Sequence, residues 1–238
     1  MGRLPPCAHP PPAPARTPPL TPPQFAHLPS GRFYNGCTEN TAPGANRTRN
    51  LQCGIQMWAQ HGIAARALLL DFGRWAAAQR LRPDAFAATN ITLAQLRAVA
   101  AAQGLDLARD TRVGDVLLVR TGFTAAYRAL TPAQRVALAA RPYTPGPDGA
   151  QRFIGVEGSA EAGEWMHDAY FSAVAADSPA FESWPPQGTG LSLHERLLSL
   201  WGVGLGEFFD LERLAERCAA RKRWTFFFTS APFNVEGE

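Results

Sequence analysis

The sequence lacks several features that would assign it to a familiar class. No apolar run reaches the roughly 18 residues that a membrane-spanning helix needs, and prolines interrupt every apolar stretch within the first 30 residues. Lysine and arginine exceed aspartate and glutamate by only three, with no block of basic residues. We therefore expect neither a membrane span nor a secretory signal, and neither a membrane nor a nucleic acid as partner.

Cysteine is scarce, and no two cysteines form a CxxC pair. The four thiols of Cys7, Cys37, Cys53 and Cys218 are far apart in the sequence. In a chain of this size without a secretory signal, such spacing predicts reduced thiols and a cytoplasmic location. The chain also lacks a GxSxG nucleophile elbow, a GxxxxGK[ST] phosphate loop and a GxGxxG dinucleotide turn, which excludes those motif-based sites.

Proline, by contrast, is concentrated at one end of the chain. Eleven of the 21 prolines lie between Pro5 and Pro29, a segment that favours polyproline II and cannot build a packed core. We interpret residues 1–30 as a disordered leader, with a PxxP ligand for an SH3-type module as the alternative. Residues 31–238 are expected to form one α/β domain.

Helical and extended patterns alternate from residue 51 onward. Helices are predicted over 93–103, from 131, and over 159–169, 192–200 and 210–221; strands are predicted over 114–120, 153–156, 171–175, 203–208 and 224–229. Thr92 and Thr131 are expected to cap the first two helices. The alternation favours an α/β fold in which helices pack on a largely buried sheet or barrel.

Eight side chains are candidate metal ligands, and one pair among them is favoured by its spacing. The helix after His194 rises about 10 Å before the chain reverses, at about 1.5 Å per residue. The extended segment back to Glu207 covers about 13 Å at about 3.3 Å per residue. Glu207 can therefore return beside His194; the alternative is that the two never meet. The eight candidates are His27, His61, His167, His194, Asp71, Asp177, Glu157 and Glu207.

Several stretches together form an ordered pattern over about residues 25–235. They are FYNG at 33–36, WAQHGI at 58–63, RALLLD at 66–71, GDVLLVRTG at 114–122, FIGVE at 153–157, AVAADSPAFE at 173–182, LHERLL at 193–198 and WTFFFTSAP at 224–232. In this order they resemble the cyclase family of metal-dependent hydrolases, which includes kynurenine formamidase, and in particular its fungal branch.

The resemblance implies a fold, a reaction and a cofactor. The fold would be a swivelling β/β/α-type layered barrel with surrounding helices. The reaction would be hydrolysis of an aryl formamide such as N-formylkynurenine, a step of tryptophan catabolism, with zinc or manganese held by His194 and Glu207. Phe33 and Tyr34 are candidates for binding this small-molecule amide substrate. Family members also form homo-oligomers, which is the expectation for this chain.

The first half of the family signature, HxGTHxD followed by a further histidine, has no counterpart here. Gln24 stands where relatives carry the catalytic histidine, so no catalytic residue is assigned. The sequence also stops short of the family's closing strand. We expect a family member whose N-terminal segment is truncated or altered. The alternative function is a catalytically impaired relative that retains the fold without the first-half metal ligands.

Overall fold

A mostly parallel sheet of five strands forms the centre of this mixed α/β protein. The computed structural model describes residues 28–38, 56–142, 150–187 and 190–233. The spatial order is β6-β5-β3-β1-β7, in which β7 alone runs antiparallel to its neighbour. The strands are β1 (Ile63–Asp71), β3 (Val116–Arg120), β5 (Ala173–Ala176), β6 (Gly204–Gly206) and β7 (Thr225–Ser230).

Helices connect the strands, and those that begin near residues 93, 132, 160 and 212 agree with the predicted ones, whereas the helices that begin at residues 72, 107 and 123 were not predicted. Thr92 and Thr131 each form a capping box at the start of their helices, as predicted. The helices are α1 (Gln56–His61), α2 (Phe72–Ala78), α3 (Leu93–Ala102), α4 (Leu107–Asp110), α5 (Phe123–Ala129), α6 (Pro132–Ala139), α7 (Ala160–Asp168) and α8 (Glu212–Arg221); a 3-10 turn (Tyr34–Gly36) and a π-helical segment (Glu195–Leu200) complete the set.

Both faces of the central sheet are buried, which explains its continuous apolar strands. Leu68 and Leu117, paired across β1 and β3, lie in the core on the face covered by α2, α3 and α7. The neighbouring pair Leu69 and Leu118 points to the opposite face, where α8 packs through Ala215. A parallel sheet covered on two sides requires apolar residues in both alternating positions.

A second, small sheet lies beside the first. It contains β2 (Asn90–Ile91) and β4 (Gly155–Val156), paired in parallel. In the described part of the chain both sheets are open, and the layered barrel stays a prediction. The described helices are all too short, or too polar, to cross a membrane. Of the predicted leader, residues 1–27 lie outside the described ranges.

The cysteines correct one expectation. Cys37 is disulfide-bonded, whereas Cys218 is a free thiol on the buried face of α8. The prediction of four reduced thiols is therefore wrong for Cys37. Sequence spacing does not reveal which thiols a fold brings within bonding distance. The cytoplasmic location, which was inferred from reduced cysteines, stays a prediction.

Candidate active site

Charged side chains collect at the carboxyl end of the parallel strands, the edge of an α/β sheet where sites are usually found. Asp71 ends β1, Arg120 ends β3, Asp177 follows β5 and Glu207 follows β6. Asp71 and Asp177 are almost completely buried, and each is held by backbone amides and neighbouring side chains. Glu207 is the member of this group that contacts a histidine.

His194 lies between two carboxylates. Its Nδ1 is 2.6 Å from Oε1 of Glu182, and its Nε2 is 3.1 Å from Oε1 of Glu207. The His194 and Glu182 side chains are buried, whereas that of Glu207 is 25% exposed. The structure thus brings together His194 and Glu207, the pair that the sequence favoured.

The approach of these two residues depends on the turn between them. Leu193 and Leu197 are buried in the core and fix the segment that carries His194. Gly202, at φ +64°, reverses the chain in a conformation that favours glycine, and the amide of Val203 donates to the Leu197 carbonyl at 2.7 Å. The following strand β6 then returns to Glu207.

Glu182 was not predicted as a site residue, although it lies in one of the stretches quoted above. Its carboxylate accepts hydrogen bonds from the amides of Leu193 (3.1 Å) and His194 (2.9 Å) as well as facing the imidazole. The Glu182 backbone runs against β4 so closely that a Cβ on Gly155 would lie 2.3 Å from its carbonyl carbon. Glycine at 155 is therefore required to keep Glu182 beneath His194.

The two carboxylates control the charge of the imidazole. Burial opposes protonation, but the hydrogen bonds to Glu182 and Glu207 outweigh it and raise the pKa of His194 from 6.5 to about 9. In the metal-free protein His194 is therefore a cation at neutral pH. A metal ion bound at Nε2 would have to displace that proton.

This raised pKa predicts how the stability of the metal-free protein depends on pH. A pKa that is higher in the folded state adds stability that is complete below pH 6.5 and lost as pH rises through about 9. With a chelator present, we expect the free energy of unfolding to fall across this interval, measured by urea denaturation. In the variant H194Q the free energy of unfolding should fall less over the same pH interval. An identical pH dependence in the two proteins would contradict the raised pKa of His194.

Glu207 also lines a cavity of about 680 Å³. Its wall is formed largely by α5 and α6 together with the segments before β4 and after β5, and five of the described lining residues are aromatic. Such a lining suits an aromatic ligand, with a few polar groups to orient it. The aromatic lining residues are Phe123, Tyr127, Phe153, Trp184 and Phe208, and the charged ones are Arg128, Arg135 and Glu207.

Phe33 and Tyr34, predicted to bind substrate, are not among the residues that line this cavity. Phe33 is buried against Cys37. The Tyr34 ring covers Gly202, where an added Cβ would lie 2.4 Å from it. Tyr34 therefore lies near the start of β6, whereas the cavity adjoins the far end of that strand at Glu207. Their role in substrate binding stays a prediction.

The other candidate ligands are distributed across the molecule. Asp71 caps α2 and pairs with Arg120, while Asp177 accepts from Thr121 and so fixes the start of α5. His167 is half exposed beside Asp168. His61 ends α1, Glu157 lies near the start of α7, and His27 lies outside the described residues.

The donor chemistry of His194 and Glu207 fits a divalent metal, but their number does not complete a site. Nε2 and a carboxylate oxygen are ordinary zinc ligands, and a carboxylate on the other ring nitrogen is the usual support for a metal-binding histidine. Catalytic zinc has three protein ligands. Among the described residues, no three His, Cys, Asp or Glu side chains are grouped to hold an ion.

Comparison with known proteins identifies the family. The model of the Cyclase family matches residues 37–183, more than half of the chain. The chain belongs to the Cyclase family. Glu182 lies inside the matched region, whereas His194 and Glu207 follow it. No curated protein matches the sequence.

One solved structure shares the fold of this chain, and a second is more distantly similar. A crystal structure described as a novel cyclase is 26% identical and superposes with a TM-score of 0.69 over 87% of this chain. The chain spans 61% of the length of that protein. Isatin hydrolase A from Ralstonia solanacearum is 16% identical with a TM-score of 0.46, covering 74% of this chain and 56% of its own.

Proposed function

We propose that this Cyclase family member hydrolyses aryl amides, with aryl formamides such as N-formylkynurenine as substrates. The observation that carries the proposal is the buried array of Glu182, His194 and Glu207, which ends in a cavity with aromatic walls. A buried histidine held by one carboxylate and facing a second one is the type of perturbed group that marks active sites. The cavity supplies a place for the aryl group.

Within the proposal, His194 and Glu207 would hold a zinc or manganese ion, and the described residues offer no third ligand. Such an ion, when bound, lowers the pKa of a coordinated water to about 7 and polarises a carbonyl oxygen. Glu182 accepts a hydrogen bond from Nδ1–H of His194 and thereby orients the ring so that Nε2, once deprotonated, would be available to the ion. The aromatic cavity orients the aryl amide beside Glu207 and excludes water.

The second candidate function is a catalytically impaired family member that keeps the fold. The number of ligands favours it, since two donors are one fewer than a catalytic zinc site uses. In that case the array of Glu182, His194 and Glu207 would serve only as a buried polar network.

Turnover and metal binding in one preparation separate the two candidates. The full chain is incubated with an aryl formamide and zinc or manganese, and formate release is measured; calorimetric titration gives the metal stoichiometry. The proposal predicts turnover that a chelator removes, together with one-to-one metal binding. If both turnover and stoichiometric metal binding are absent, the protein is the impaired form. Tight metal binding without turnover would contradict only the proposed reaction.

A further inference from the structure

The cavity beside Glu207 contains two arginines in different surroundings. Arg128 on α5 donates through Nη2 to Asp210 at 2.8 Å, and both side chains are more than half exposed. Arg135 on α6 lines the same cavity, but no carboxylate among the described residues lies within ion-pair distance of it. The charge of Arg128 is therefore neutralised by the protein, whereas that of Arg135 is not.

Contacts with the protein orient the Arg135 guanidinium without using all of its donors. Its Nη2 donates to the carbonyl of Arg128 at 2.9 Å, and its Cζ lies 5.1 Å from the centre of the Tyr127 ring. Its Nε is buried and has no acceptor among the described residues. A guanidinium stacked on an aromatic ring keeps its edge available for an acceptor in its own plane.

The rest of the cavity indicates which kind of ligand would supply an acceptor for the Arg135 guanidinium. The walls are predominantly apolar and include five aromatic rings; Glu207, the one carboxylate among the described lining residues, is hydrogen-bonded to His194. The Nη1 group of Arg135 donates no hydrogen bond among the described residues, and a ligand carboxylate would supply an acceptor with the planar geometry that guanidinium matches. A ligand with an aromatic body and one carboxylate therefore complements this cavity.

We propose that Arg135 is a specificity-determining residue that binds a carboxylate of the substrate. The protein then prefers aryl amides that carry a negative charge on the side remote from Glu207. The identity of the reacting bond rests on the proposed function, whereas the recognition of an aromatic carboxylate rests on the cavity alone.

Two unreactive probes of the same skeleton test the recognition. Binding of 3-phenylpropanoate and of 3-phenylpropan-1-ol to the full chain is measured by calorimetry. We expect the acid to bind the wild type about tenfold more tightly than the alcohol, since a hydrogen bond to a charged group contributes this order of affinity. R135Q should lose that preference while binding the alcohol as before, and R135K should retain part of it.

Arg128 provides the matched control, because it lines the same cavity and its replacement by glutamine lowers the net charge by the same one unit. With Asp210 already paired to Arg128, R128Q should retain the preference for the acid within about twofold. Equal affinity of the wild type for acid and alcohol would overturn the proposal. An equal loss in R128Q and R135Q would also overturn it, because the preference would then reflect the general charge of the cavity.

Failure of this inference is distinguishable from failure of the proposed function. Binding of the acid that depends on Arg135, without hydrolysis of any aryl amide, supports the recognition role and contradicts the reaction. Hydrolysis of neutral and anionic aryl amides at equal kcat/KM in both wild type and R135Q supports the reaction and overturns the role of Arg135. Thermal unfolding of each variant confirms that it is folded.

Discussion

Replacing Arg120 with alanine is expected to lower the free energy of unfolding by about 3–5 kcal/mol, the cost of removing one partner of a buried ion pair. The Nη1 of Arg120 donates to Asp71 at 2.7 Å, while its Nε and Nη2 donate to both oxygens of Glu212 at 2.7 Å. The Arg120 side chain is 13% exposed and that of Asp71 is 1% exposed. The variant would leave the Asp71 carboxylate charged in the interior.

Arg74 is a matched control because it also pairs with Asp71, at 3.2 Å, but is 51% exposed. R74A should cost about 1 kcal/mol or less, since exposed pairs contribute little. Urea denaturation of both variants measures the difference. The double variant D71N/R120M should recover part of the loss, because no lone charge remains buried. Equal destabilisation by R74A and R120A would show that burial of the Asp71 charge is not the cause.

Replacing Glu182 with glutamine is expected to lower the kcat/KM of the proposed reaction about 10-fold to 100-fold, the usual effect of losing the residue that supports a metal ligand. Glu182 receives the imidazole Nδ1–H and the amides of Leu193 and His194 on its two oxygens. A glutamine has one oxygen acceptor, and its NH₂ group would face a donor. The His194 ring would then lose its fixed orientation.

This positioning role has a readout that does not depend on turnover. Without the Glu182 charge, the pKa of His194 should fall from about 9 toward its ordinary value, which NMR titration of the metal-free protein measures. E195Q is the control: Glu195 adjoins His194 in the chain, but its carboxylate accepts from Ser192 instead. Identical kcat/KM values and His194 pKa values in E182Q and E195Q would contradict the role of Glu182.

The helices and strands were largely predictable because their signals are local. Threonine followed three residues later by glutamine marks a capping box, and both instances begin helices at the expected positions. The continuous apolar run in β3 indicates a strand buried on both faces. These patterns depend on neighbouring residues alone, so the sequence reveals them without the fold.

The pairing of His194 with Glu207 was also predictable, since a single chain reversal separates them and the lengths of the two segments nearly cancel. Glu182 was not predictable as their companion. Its position depends on pairing of its segment with β4, and on the absence of a side chain at Gly155, which are contacts between distant parts of the chain. No local pattern distinguishes a buried Glu182 from a solvated glutamate.

By itself the sequence determined the α/β class, the helix caps and the candidate pair of His194 and Glu207, because periodicity and segment length set these features. Tertiary structure decided that Glu182 supports His194, that Cys37 is disulfide-bonded, and that Arg135 lines a cavity with no carboxylate partner in the part of the chain that the structure describes. Each of these depends on which surfaces meet after folding. The burial and mutual distance of charged groups, which set their chemistry, exist only once those surfaces have packed.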